Sequence, residues 1–292
     1  ASNLAPTFPT YDTPIPFERI TQVVEDVDHD RRLILSNSQG VLVEELSSGI
    51  TIKHIDRNAN GDRIGGTKWH VVNGRHFFHG GHDVYEYDPS TDNVHVVLHL
   101  NDVLPGSGLG FRINDFAWNS HSRYLYLGTE DNHVIVLDPE SGKSVVLRVK
   151  PDGTFSGINL ILETEPFGTD RALVIAEHGQ FLLDGLNGPI KPAQEEWPSM
   201  QFGPNFRASG ATIIGDSLVV VSSFADGLFL YHIGKDSLYR PEGPDMDQLL
   251  ITDVFWDGLR HVYGTTRDGL LMYDVRDNTV RMLNGKQGLP LD

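Results

Sequence analysis

Residues 56–62 read Asp56-Arg57-Asn58-Ala59-Asn60-Gly61-Asp62, with side-chain oxygens at alternate positions and glycine at the sixth. A tight loop turns alternate side chains inward, and hard cations such as Ca²⁺ take six to eight oxygen ligands. Asp56, Asn58 and Asn60 are therefore candidate calcium ligands. Position twelve of such a loop is Thr67 rather than Glu, and no helical pattern flanks it, so an Asx-rich turn accounts for the same residues. Histidine is the other concentrated chemistry: His70, His76, His79, His82, His95 and His99 are six of the chain's thirteen. The pair in His79-Gly80-Gly81-His82 would need convergent imidazoles and a third ligand to hold a transition metal, and otherwise belongs to an exposed strand end. His95 and His99 alternate onto one face of a strand, but four residues span about 13 Å. They cannot share a metal.

The wider composition removes several function classes. The chain has 292 residues, 23 basic and 40 acidic, for a net charge of −17. So acidic a protein gains no counterion-release term from a phosphate backbone, which argues against nucleic acid as a partner. Cysteine is absent, which excludes disulfides, thiol catalysis and thiolate metal sites. No run of 18 apolar residues occurs, so no membrane insertion is expected. Nucleophile-elbow, P-loop and dinucleotide motifs are missing, and the glycine-rich run 104–111 reads as a loop. The opening ASNLAPTFPTYDTPIP is polar and proline-bearing, as in a mature secreted or periplasmic protein, with a cytoplasmic start as the alternative.

These residues must be positioned by a repeated element. The segment 251–285 reads as four short strands, ITDVFW, HVYGTT, GLLMYD and TVRML, separated by Asp-Gly and Asp-Asn turns. The cadence recurs with first strands near 20, 68, 113, 158, 210 and 251, at intervals of 41–52 residues. Four strands at this period describe a β-propeller blade. The expected fold is all-β: a single six-bladed β-propeller domain over 1–292, four antiparallel strands per blade. The blades lie near 17–56, 63–101, 111–150, 156–192, 207–242 and 248–286. Second strands such as LILS, YLYLG and LVVVS are apolar throughout, as strands buried on both faces must be. Residues 186–207 read as a long Pro-rich connection, either a solvent-exposed insertion or a functional loop.

In a propeller the first strands converge on the axis, so residues at their starts meet at one mouth. In chain order these are Glu18 and Arg19, Lys68 and Trp69, Arg112 with Asn114 and Asp115, Asn159, Ser209, and Thr252 with Asp253. Carboxylate and amide oxygens dominate, which suits Ca²⁺. A hydrated polar lining is the alternative.

The segment RINDFAWNSHSRYLYLGT resembles the Arg-x-Asn-Asp…Gly-Arg…Gly-Thr blade of the regucalcin/gluconolactonase family of six-bladed propellers. The resemblance implies metal ligands at Glu18 and Asn159 and substrate contact at Asn114. Where the family opens its fifth blade with Asp-Gly, the Asp serving as metal ligand and general base, this chain has Ser209-Gly210, and Asp253 or Asp115 would have to stand in. The last blade, with its trailing GLPLD, resembles instead the repeats of two-component regulator propellers, which implies ligand binding without chemistry. Two functions follow. One is a Ca²⁺-dependent lactone or ester hydrolase, with Glu18 and Asn159 on the metal, Asp253 or Asp115 catalytic, and Asn114, Arg112 and Arg19 on the substrate. The alternative is a non-catalytic ligand-binding or sensor propeller, extracellular or periplasmic, or a metal-free enzyme on the same scaffold. Each takes a small-molecule ligand or substrate. The oligomeric state is not legible.

Overall fold

The structure is a computed structural model. It describes residues 19–284 except 59, 105–111, 120, 132, 150–160, 168–170, 177–178, 186–187, 203–205, 242, 244–245 and 247–248, and the backbone alone for 161–167. Six antiparallel four-stranded sheets follow one another in chain order. The first sheet holds β1 (Ile20–Asp26), β2 (Arg31–Ser36), β3 (Gly40–Glu45) and β4 (Thr51–Ile55). The second holds β5 (Lys68–Val72), β6 (Arg75–Gly80), β7 (Asp83–Asp88) and β8 (Asn93–His99). The third holds β9 (Ile113–Asn119), β10 (Tyr124–Thr129), β11 (His133–Leu137) and β12 (Ser144–Arg148). The fourth holds β13 (Ile161–Phe167), β14 (Arg171–Ala176), β15 (Gly179–Asp184) and β16 (Ile190–Pro192). The fifth holds β17 (Ala208–Ile214), β18 (Leu218–Ser223), β19 (Gly227–His232) and β20 (Ser237–Tyr239). The sixth holds β21 (Ile251–Trp256), β22 (His261–Thr266), β23 (Gly269–Asp274) and β24 (Thr279–Leu283). This is the expected all-β class, a six-bladed β-propeller.

Two compact units divide the chain, one within Thr13–Thr164 and one from Glu165 onward. In the first, Leu33, Leu35, Val41 and Val43 pack against Trp69, Phe78, Tyr85 and Tyr87, joining the first and second sheets. Phe77, Val84 and Leu98 meet Phe116, Leu125 and Leu127, joining the second and third. In the second unit, Leu218, Val220, Leu228 and Leu230 pack against Ile251, Val254, Val262 and Tyr273. Every residue of β18 is buried, because its two faces serve two cores.

A side-chain device recurs at the hairpin between third and fourth strands. The buried phenols of Tyr87, Tyr231 and Tyr273 donate to Asp92, Asp236 and Asn278, each five residues on, at 2.5, 2.6 and 3.0 Å. Each acceptor has a left-handed backbone, with φ of 49°, 46° and 51°, which Asp and Asn tolerate better than most residues. The third sheet has Leu137 and Gly142 at the same spacing: no phenol, so no acceptor.

Two sequence expectations are corrected. His95 and His99 do not share a face, because Tyr85 pairs with Val96 while Val84 pairs with Leu98, leaving Val97 as a bulge. His95 therefore meets Glu86 at 3.1 Å, and His99 binds Asp83 on the other side. Nor are the described residues of 186–207 a solvent-exposed insertion. They contain β16 and a 3₁₀ turn at Ala193–Glu195, and Trp197 and Met200 are buried. Gln194 Nε2 donates to Met200 O at 2.6 Å, and Ser199 N donates to Asp236 Oδ1 at 2.9 Å, so the connection is fastened at both levels.

Candidate functional site

In the unit within Thr13–Thr164, chain from three sheets meets at one end. The segment leading into β5 is laid between its neighbours: Gly66 N donates to Ser36 O at 2.9 Å and Thr67 N to His79 O at 3.1 Å. Only glycine permits this. A Cβ on Gly80 would lie 1.5 Å from Gly65 O, and one on Gly65 would lie 2.3 Å from Asn37 O. The third sheet joins through Ile113 N to Gly81 O at 2.8 Å, and Glu130 N donates to Arg112 O at 3.0 Å. These crossings enclose a cleft of about 320 Å³. Its walls carry Asn37, Thr67, His79, Arg112, Asn114 and Glu130, with Ile113 as the apolar side chain.

Behind it, Lys68 Nζ lies 2.8 Å from Asp115 Oδ1, and His70 Nε2 donates to Phe116 O at 2.7 Å. His79 is 1% exposed, with Nε2 2.8 Å from Thr67 Oγ1, and its buried Nδ1 has no partner. Burial pushes His79 down to about 4, outweighing the pull of the nearby Asp115 carboxylate. Burial and then the Lys68 ammonium push His70 to about 4 as well. Both imidazoles are neutral at pH 7. Arg112 is exposed, and neither its guanidinium nor the side chains of Glu130, Asn37 and Asn114 make a hydrogen bond or ion pair among the described residues.

The residues singled out in the sequence divide as follows. Arg112 and Asn114 line the cleft. Asp115 is buried beneath it in the ion pair with Lys68. Arg19 is exposed, and its carbonyl accepts Asn37 N at 3.4 Å. Asp253 is exposed in the second unit, where its Oδ1 accepts the amide of Val254 at 2.8 Å. Ser209, standing where the resembled family has Asp, donates to Ile251 O at 2.5 Å and fastens the fifth sheet to the sixth. Glu18 and Asn159 lie outside the described residues.

In the 56–62 loop, Asn58 Oδ1 accepts the amides of Asn60 and Asp62, both at 2.9 Å, while Asp56 and Asn60 are exposed. Asn58 thus builds the turn, as the Asx-rich alternative has it. Among the described residues no group of three or more His, Asp or Glu side chains could hold a metal.

Asn37 and Glu130 escaped the sequence reading for a geometric reason. A second strand runs antiparallel to the first, so its end lies beside the first strand's start. Ser36-Asn37, Gly80-Gly81 and Thr129-Glu130 are those ends, each just after an apolar run. That position in the repeat was the available signal.

No protein-family model matches the chain, and no curated protein sequence matches it. The expected kinship with regucalcin/gluconolactonase propellers thus has no support from sequence comparison. Solved structures do match, 1589 chains of them. One is the computationally designed Ika8 protein, with a TM-score of 0.63 and 12% identity over 90% of this chain and 73% of that one. Another is the extracellular domain of BT4673 from B. thetaiotaomicron, described as a hybrid two component system, with a TM-score of 0.68 and 14% identity. That match covers 93% of this chain but 34% of the other, so the present chain spans about a third of that domain. No helix among the described residues is long and apolar enough to cross a membrane. What the chain shares with these structures is the fold.

Proposed function

We propose that this propeller is a binding module that takes a small polar molecule into the cleft of its first three sheets and performs no chemistry on it. The observation that carries this reading is the convergence of Asn37, Arg112, Asn114 and Glu130 on one concavity with their polar atoms unspent among the described residues. Ligand sites place a few convergent polar groups in a preformed concavity of roughly this volume. The structural likeness to an extracellular domain of a protein described as a two component system supports the same reading, and with it a secreted or periplasmic location.

Catalysis draws less support. The hydroxyl–imidazole pair in the cleft is Thr67 with His79, and a general base works best near the operating pH. An imidazole held at about 4 takes a proton from a hydroxyl poorly, and the partnerless Nδ1 has no carboxylate to orient it. A Ca²⁺-dependent lactone or ester hydrolase, the activity implied by the family resemblance, draws no support from the described residues. The test is a thermal-shift panel of monosaccharides, dicarboxylates and free amino acids, repeated on Asn114→Ala. At least one class should raise the melting temperature, and the substitution should cancel that rise. A panel without response, or a response that survives Asn114→Ala, would overturn the reading.

A further inference from the structure

We infer that the cleft recognises a zwitterion, a small molecule carrying a carboxylate and an ammonium a few ångströms apart, of which a free α-amino acid is the simplest case. The inference rests on the proposal that the cleft is a binding site, and concerns which chemistry it accepts.

Arg112 and Glu130 are joined at the backbone, Glu130 N donating to Arg112 O at 3.0 Å, and both residues line the same cavity. Two other arginine–glutamate pairs in this protein do close on each other. Arg75 grips Glu86 across β6 and β7 with bonds of 2.6 and 2.7 Å. Arg171 holds Glu196 in the same two-pronged way at 3.0 and 2.7 Å. Arg112 and Glu130 make no ion pair or side-chain hydrogen bond with each other or with any other described residue. One cation and one anion therefore stand open side by side.

The ion pair next to the cleft adds no net charge. Lys68 and Asp115 are opposite charges 2.8 Å apart, and His79 is neutral. A ligand of single sign would satisfy one of the two open groups and meet the like charge of the other. A zwitterion satisfies both: a guanidinium fork matches a carboxylate in a bidentate pair, and a carboxylate accepts an ammonium. Asn37 and Asn114 supply donors and acceptors for the rest of the molecule. A volume of about 320 Å³ with one apolar side chain on its wall suits a small and polar occupant better than a large aliphatic or aromatic one.

The experiment titrates the whole chain calorimetrically with each common α-amino acid at millimolar concentration, then with the best binder's amide and its N-acetyl derivative, and with D-glucose. The free amino acid should bind at least about tenfold more tightly than either single-ion derivative. The two variants should then lose different discriminations. Arg112→Met should no longer distinguish the amino acid from its amide, and Glu130→Gln should no longer distinguish it from the N-acetyl form. Melting temperatures within a degree or so of the parent would show that both variants fold, as expected for side chains without a hydrogen-bond or ion-pair partner among the described residues. Binding of D-glucose but of no amino acid, lost in Asn114→Ala, would overturn the zwitterion and leave the binding site standing. Amino-acid binding unchanged in both charge variants would overturn the cleft as the site. No binding of any amino acid overturns the inference.

Discussion

The ammonium of Lys68 and the carboxylate of Asp115 lie 2.8 Å apart, tying the first strand of the second sheet to that of the third. Asp115 is 2% exposed, and a buried carboxylate persists only where something stabilises its charge. Its charge thus has a structural use at the junction beneath the cleft. Asp115→Ala removes the carboxylate that faces the Lys68 cation and should cost about 2–4 kcal/mol, at the lower side of the range for fully buried pairs because Lys68 is partly exposed. Lys68→Met combined with Asp115→Leu removes both charges and should cost much less than the sum of the single substitutions. Urea unfolding of the four proteins checks this, and strictly additive losses would refute the coupling.

His70 and His79 make stability depend on pH with a fixed sign. Both are held at about 4, below the ordinary 6.5, so between these values the unfolded chain binds more protons than the folded one. Their contribution is complete above about pH 6.5 and drains away as the pH falls toward 4. The full effect is on the order of 3 kcal/mol per group at 1.36 kcal/mol for each pKa unit. Urea midpoints measured from pH 7 to pH 4.5 should fall. In the double variant His70→Gln/His79→Gln the slope should be shallower, although the starting stability is lower. An unchanged slope would mean that neither imidazole is kept neutral by the fold.

The propeller was legible because each blade repeats its own punctuation. Asn73-Gly74 supplies two consecutive left-handed residues, as a two-residue hairpin turn requires, and the fully apolar LVVV of β18 announces a strand with two cores to serve. The bulge at Val97 was not legible, since HVVLH alternates as well with a bulge as without one. The burial of Trp197 and Met200 was hidden by the prolines around them. The site was half legible. Arg112 and Asn114 follow from reading the starts of first strands, but Asn37 and Glu130 enter only when the returning second strands are laid beside them. The partnership of Lys68 with Asp115 spans 47 residues and has no local spacing at all. Sites assembled by tertiary crossing leave residue types in the sequence, not intervals.

Tyr87 and Asp92 test the hairpin device. Tyr87→Phe loses one buried hydrogen bond and should cost about 1 kcal/mol. Asp92→Ala should cost more, about 2 kcal/mol, because it leaves a phenol unsatisfied in the core and places alanine at a φ of 49°. Asp92→Gly loses the acceptor but not the backbone fit, so its cost should lie between those two. Asp92→Asn retains an acceptor oxygen and should come closest to the parent. Chemical denaturation gives the order, and an Asp92→Ala milder than Tyr87→Phe would refute the account.

Gly80 and Gly81 adjoin in sequence and both border the cleft, yet alanine should affect them through different causes. At Gly80 the new Cβ would sit 1.5 Å from Gly65 O, a backbone atom that no rotamer change can remove. The segment leading into β5 would have to move, which should cost about 3 kcal/mol or more and open the wall of the cleft. At Gly81 nothing lies within 4 Å of the new atom, but φ is 61°. The cost there is backbone strain alone, about 1 kcal/mol, and Gly81→Asn should recover part of it. Melting temperatures should therefore rank Gly81→Asn above Gly81→Ala and both well above Gly80→Ala. Equal losses at the two positions would mean that the crossing of Gly65 over Gly80 is not the tight joint that shapes the cleft.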